Sequence, residues 1–247
     1  MGEIPALSGF TVKVNMAKKQ FWCVVDTETT MENTVADFAA VIVDRDGKIY
    51  NQCAVLVKDH YGTYELFHDK RANDIWGYEG LEKRKAAYVS MLNSGVRMLA
   101  STNAINKWLN QAVGKYNPTL TAYNLAFDRD KCDKTGIDLN IFNDKFCLWH
   151  ASIGNITHTK RYRQFCMDNH LFNSPTVNQN MTYKTTAESV CGFVSGEFKV
   201  EPHTALEDAR DFEVPILVNI LKKRDWREKI VPYDWKKHQV KEHFVAK

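Results

Sequence analysis

Two acids stand at the end of the first strongly apolar run of this chain, and they constrain it more than any other feature. Phe21-Trp22-Cys23-Val24-Val25 is short, β-branched and apolar, which reads as a buried strand. It runs directly into Asp26-Thr27-Glu28-Thr29-Thr30. Side chains two apart on a strand point to one face, so Asp26 and Glu28 aim together at the end of a central strand. Burying adjacent anions without a cation costs on the order of several kcal/mol. A divalent cation removes that cost, and oxygen donors suit Mg²⁺ or Mn²⁺. Taken alone, Asp-x-Glu reads better as a solvated turn after a strand. The rest of the chain decides between the two.

Ala36 to Asp44 is a second strand, and Ile49 to Val57 a third. Between them Arg45-Asp46-Gly47-Lys48 is a tight-turn signal, because Asp-Gly favours positive φ, so strands two and three are antiparallel neighbours. Residues 59–80 form a long loop. Leu81 to Leu92 reads as a helix. Thr102 to Lys115 reads as another, with Ile105, Trp108, Leu109, Ala112 and Val113 on one face. Thr119 to Tyr123 is a short strand, followed by a helix from about Asn124. Phe146 to Trp149 is a weak fifth strand, and residues 150–182 show little periodicity. Thr185 to Val194 is helical, and a last helix spans about Thr204 to Lys223, kinked or restarted at Pro215. The pattern predicts one α/β domain around a mixed sheet.

Composition narrows the class. The 247 residues are 44% hydrophobic and 26% charged, enough apolar material for a core. No apolar stretch approaches the roughly 20 residues of a membrane span, and residues 1–20 hold no secretory h-region. The six cysteines lack paired spacing and read as reduced thiols of a cytoplasmic protein. A net charge of +3 permits a nucleic-acid partner without demanding one.

Two further clusters carry chemistry. In Thr121-Ala122-Tyr123-Asn124-Leu125-Ala126-Phe127-Asp128 a strand runs into a helix, and Asp128 falls on its first turn. Helix capping by Asn124, a dipole-favoured Asp128 and a core Phe127 would explain these residues without function. In His203-Thr204-Ala205-Leu206-Glu207-Asp208-Ala209, His203 precedes the last helix and Asp208 lies on its second turn. A loop histidine folded over the Asp208 side has the layout of a general base beside a metal ligand.

Each cluster is weak alone, but their order is not. Strand Asp-x-Glu, then Asn-x-x-x-Asp at a strand-to-helix junction, then His-x-x-x-x-Asp resembles the DEDDh exonucleases. These are the DnaQ-like group of the ribonuclease H-like fold, and the resemblance spans roughly Phe21 to Leu221. It implies a five-stranded mixed sheet, strand two antiparallel, flanked by helices. It also implies a 3′→5′ exonuclease that releases nucleoside 5′-monophosphates with two Mg²⁺ or Mn²⁺ ions. Asp26 would bridge both ions, Glu28 and Asp208 would complete one site, and Asp128 would serve the other. His203 would take a proton from the attacking water, with Glu28 also at the reacting end. Thr27, Thr29, Asn124 and Phe127 would contact substrate. The partner implied is the 3′ end of single-stranded DNA or RNA, DNA slightly favoured, with a homodimer or a replication or repair partner compatible. The alternative is a non-catalytic nucleic-acid binding module, or an exonuclease subunit that needs a partner.

The expected organisation is an N-terminal extension (1–15), an exonuclease domain (16–225) with insertions near 59–95 and 150–182, and a charged C-terminal tail (226–247). Within the second insertion region, Cys147, His150, Cys166 and His170 have spacing that invites zinc, although Cys147 and His150 would face opposite sides of a strand. Glu207, Asp211 and Glu213 read as solvated or structural. Lys70, Arg71, Lys83, Arg84 and Lys85 are candidates to track a nucleic-acid backbone. Trp76, Tyr78 and Trp149 are candidates to stack on bases, with core packing the simpler fate.

Overall fold

The first strand, β1 (Phe21–Thr29), is buried along almost its whole length and sits in the middle of the sheet. The computed structural model describes residues 19–175 and 180–240; the expected extension at 1–15 lies outside the described residues. β1 pairs antiparallel with β2 (Val35–Asp44), and β2 antiparallel with β3 (Ile49–Val57). β5 (Thr119–Ala122) lies parallel on the other side of β1, and β6 (Lys145–Cys147) is parallel to β5. β4 (Met98–Ala100) adds a parallel edge beside β3, giving the order β4-β3-β2-β1-β5-β6. The sheet therefore has six strands, not the five expected. Three residues are too few to show a period of two, so β4 leaves no readable signal.

The β2–β3 turn forms for the anticipated reason. Gly47 takes φ +82°, and the Asp44 carboxylate accepts from the amides of Asp46 and Lys48, each at 3.0 Å. Alternation along β1 separates two cores. Trp22 and Val24 face one cluster, Cys23 and Val25 the other. Against the second lie α2 (Thr102–Tyr116) and α3 (Leu125–Thr135). α2 presents Ile105, Leu109 and Ala112, and full burial of a Leu or Ile contributes about 1.5–3 kcal/mol. α1 (Tyr78–Asn93) makes a smaller cluster with Leu56 and Leu66.

The first face is covered by the later chain. α4 (Leu148–Ser152) runs into a π-helical turn at Ile153–Thr157, followed by α5 (Lys160–Asp168) and α6 (Ala187–Ser195). Part of the stretch read as aperiodic is thus helical. The long last helix is broken into α7 (Ala205–Glu207), a π-helical segment Asp208–Glu213, and α8 (Val214–Leu221). Pro215 sits in the first turn of α8, where its missing N–H costs little. The carbonyl of Asp211, four residues earlier, accepts instead from the Cys191 thiol at 3.6 Å. Residues 226–240 pack back on the domain through Trp226 and the fully buried His238, in a short α9 (Trp235–His238). Among the described residues no helix is long and apolar enough to cross a membrane.

One buried charge network fixes the last helix to the sheet. Arg97, just before β4, donates through Nε to Asp37 Oδ1 (3.3 Å) and through Nη2 to Glu207 Oε2 (2.5 Å). Asp37 Oδ2 accepts the Ala205 amide at 3.0 Å, and Thr204 Oγ1 donates to Glu207 Oε2 at 2.7 Å. Both Arg97 and Asp37 are buried, so removing one strands the other. Arg97→Met is expected to lower the unfolding free energy in a urea titration by about 3–5 kcal/mol. A loss below about 1 kcal/mol would mean that Asp37 takes up a proton at little cost.

Candidate active site

β1 and β5 run parallel, and their C-terminal ends open on one cavity of about 360 Å³. Crevices at such strand ends are where open α/β sheets place ligands. β1 continues past Val25 as far as Thr29, so Asp26 and Glu28 lie within the strand, two apart. α3 delivers Asp128 from the side of the second core, and the π-helical segment delivers Asp208 from the other. His203, on the loop before α7, lines the same cavity, as do Thr27, Thr29, Asn124 and Phe127. The nine site residues that the sequence resemblance implies thus share one cavity.

Local strain marks the same place. His203 has φ +55°, Asn124 φ +82° and Asn33 φ +60°, and all three line the cavity. Non-glycine residues held at positive φ cost energy, and such strain clusters at functional sites. Asn124 occupies the N-cap position of α3 but makes no side-chain capping bond, so capping does not explain it. Phe127 is not a core residue: it is 42% exposed. Thr27 has its hydroxyl committed to Asp128 Oδ1 at 2.9 Å, which orients that carboxylate.

Burial sets the electrostatics. It pushes Glu28 up to about 8, Asp128 to about 7 and Asp208 to about 10. Asp26 is raised well above the carboxylate range by burial and then by Glu213, Asp128, Asp208 and Glu28. His203 moves the other way, down to about 4, through burial and then the Arg84 guanidinium. Its imidazole is therefore neutral at pH 7.

The donors fit a hard divalent cation. Ligand atoms of Glu28, His203 and Asp208 lie within 4.8 Å of one another. Asp26 Oδ2 and Asp208 Oδ1 are buried with no hydrogen-bond partner, an arrangement that is costly unless a cation satisfies it. Asp26 and Asp128 lie outside that tight group of three.

Two acids in or beside the site were not anticipated. Glu213 is 2% exposed, with Oε1 accepting the Tyr123 amide at 3.2 Å and Oε2 unpartnered. Burial overturns its reading as a solvated acid, while the bond to Tyr123 fits a structural one, and it lines an adjoining cavity with Asp26 and Glu201. Five residues along an α-helix turn a side chain about 140° away, whereas the wider π turn brings Asp208 and Glu213 towards one side. Glu201 lines the cavity and is raised to about 7 by burial and then by Glu188; no motif pointed to it. Glu207 and Asp211 are tied up in ion pairs with Arg97 and Arg210. Arg84 is buried and donates to the Phe67 carbonyl, so it does not track a backbone. Trp76 lines the cavity.

The zinc candidates are not brought together. Among the described residues, the group with metal-ligand spacing contains none of Cys147, His150, Cys166 or His170. Cys147 ends β6, His150 is on α4, and Cys166 faces the core from α5, its thiol raised to about 11 by burial.

No protein-family model and no curated protein matches the chain.

The acid cluster makes a stability prediction. Below about pH 4 folded and unfolded chains both hold these protons. Above it the unfolded chain releases protons that the folded chain keeps, so metal-free stability falls as pH rises towards the folded values. His203 acts oppositely between about pH 4 and 6.5, and the buried cysteines add to the decline from about pH 8 upward, so pH 7 to 8 is the clean window. Thermal melts of the metal-free protein are expected to decline across it. Asp208→Asn is expected to flatten that decline, and Mg²⁺ or Mn²⁺ to raise the wild-type Tm. Equal metal response in both proteins would remove Asp208 from the cation site.

Proposed function

We propose that this chain is a two-metal 3′→5′ exonuclease of the DEDDh type on a ribonuclease H-like fold. Its substrate is single-stranded nucleic acid, and its products are nucleoside 5′-monophosphates. The observation that carries the reading is the convergence of Asp26, Glu28, Asp128, His203 and Asp208, from three distant segments, on one cavity. The strands β3-β2-β1-β5-β6, with β2 antiparallel, accord with the sheet that the sequence resemblance implies.

Divalent ions held by Asp26, Glu28, Asp128 and Asp208 would activate water and neutralise charge on the attacking and leaving oxygens. His203, neutral at pH 7, accepts the proton of the attacking water on an imidazole nitrogen. A bound phosphodiester opposes the effect of Arg84 and makes that ring more basic. Thr27 keeps Asp128 in one orientation through its hydroxyl. At about 360 Å³ the cavity is of the size that takes a small ligand, which suits one strand end.

The test uses 5′-labelled DNA and RNA oligonucleotides of matched sequence, in Mg²⁺, in Mn²⁺ and in EDTA. A metal-dependent ladder shortening from the 3′ end is expected, and the faster lane chooses the sugar. Asp26→Asn and Asp208→Asn are each expected to lower turnover at least about 10³-fold, as losing a metal ligand removes activated water and charge neutralisation together. Intact label in every lane, with the oligonucleotide still bound, would overturn the reading in favour of a binding module.

A further inference from the structure

The segment between β3 and α1 is not a passive loop. Leu66 bridges antiparallel to Thr30, the Met31 amide donates to the Glu65 carbonyl (2.8 Å), and the Phe67 amide donates to the Thr29 carbonyl (2.8 Å). These bonds extend β1 by a short pairing and set Phe67 beside Thr29. The Asp69 amide donates to the Trp76 carbonyl at 2.8 Å, which closes the intervening loop and brings Trp76 back to Phe67. Their ring centroids are 5.8 Å apart at 65°. Arg84 pins both: Nη2 donates to the Phe67 carbonyl at 2.7 Å, and its guanidinium lies 5.0 Å from the Trp76 ring centre.

This construction leaves apolar rings turned to open space. Phe67 is 41% exposed and Phe127 42%, and with Trp76 they line the same cavity as the carboxylates. The cavity thus pairs an anionic, cation-ready floor with an aromatic side. A nucleotide has the complementary form: a phosphate to meet cations at one end and a flat base at the other. Base-aromatic stacking is tolerant of sequence because every base has a π-face. Trp76 also packs on His203, with centroids 4.4 Å apart.

We infer that Phe67 and Trp76 form a stacking subsite for the nucleobase of the 3′-terminal nucleotide, and that Trp76 is in addition a positioning residue for His203. The inference rests on the exonuclease reading for the identity of the occupant. It gives part of the first insertion a role in holding an unpaired end.

The test measures binding of 5′-fluorescein single-stranded oligodeoxynucleotides by anisotropy in Ca²⁺. One ends in thymidine, the other in an abasic residue. The wild type is expected to bind the base-bearing end about tenfold more tightly, within the range of base-aromatic stacking. Phe67→Ala is expected to bind both ends equally, and Phe67→Tyr to keep the difference. Should the alanine variant misfold, Phe67→Leu retains the bulk without the π-face and should also lose the difference. A wild type that binds neither end or treats them alike, or a folded Phe67→Leu that keeps the full preference, would overturn the subsite. In turnover, Trp76→Ala is expected to lower kcat as well as raise KM, with kcat largely restored in Trp76→Phe. An unchanged kcat in Trp76→Ala would remove the positioning role. End preference without any 3′ ladder from the wild type would overturn the exonuclease reading alone; a ladder without preference would overturn the subsite alone.

Discussion

Several like charges meet at the end of a strand that is packed on both sides, and the surrounding structure answers that problem. Asp26 and Glu28 cannot turn to bulk water without breaking β1 out of the sheet. Asp128, Asp208 and Glu201 add charge around the same cavity, and Glu213 adds more from an adjoining one that shares Asp26 and Glu201. The buried oxygens without partners on Asp26, Asp208 and Glu213 show that hydrogen bonding within the chain does not settle the repulsion. A site of this kind is stable only with protons or cations in it. Either way the burial of these acids costs the fold stability.

Holding such a site requires rigid attachment of its parts. Asp128 is fixed by Thr27 from the strand itself. Asp208 and His203 flank residues 204–207, which are tied to β2 and the chain before β4 by the Asp37–Arg97–Glu207 network. That network sits beside the site without lining it. It lets an irregular stretch, left-handed at His203 and π-helical after Glu207, keep one position. The segment around Phe67 and Trp76 is secured in a comparable way, by backbone bonds to the end of β1 and by Arg84.

What could be read from the sequence followed local physics. The β-branched runs, the Asp-Gly turn and the apolar face of α2 each depend on residues close in the chain, and β1, β2, β3, α2 and β5 lie within a few residues of expectation. The three acidic motifs were legible because each combines a chemical type with a strand end or helix start. Glu213 was hidden by the assumption of 3.6 residues per turn, and β4 by its length. Arg84 looked like surface charge because its neighbours in sequence are charged, although it points inward. The four Cys and His residues shared spacing but not a location, since a strand end, a short helix and a core-facing helix separate them.

The sequence by itself determined an α/β chain with acids at the ends of its strands and helices, because those features follow from periodicity and from the side chains present. Only the tertiary structure decided that the acids meet in one cavity, that Glu201 joins them with Glu213 in an adjoining one, and that the segment between β3 and α1 supplies its aromatic side. Those outcomes depend on contacts between residues tens to nearly two hundred positions apart, and no local pattern encodes such distances.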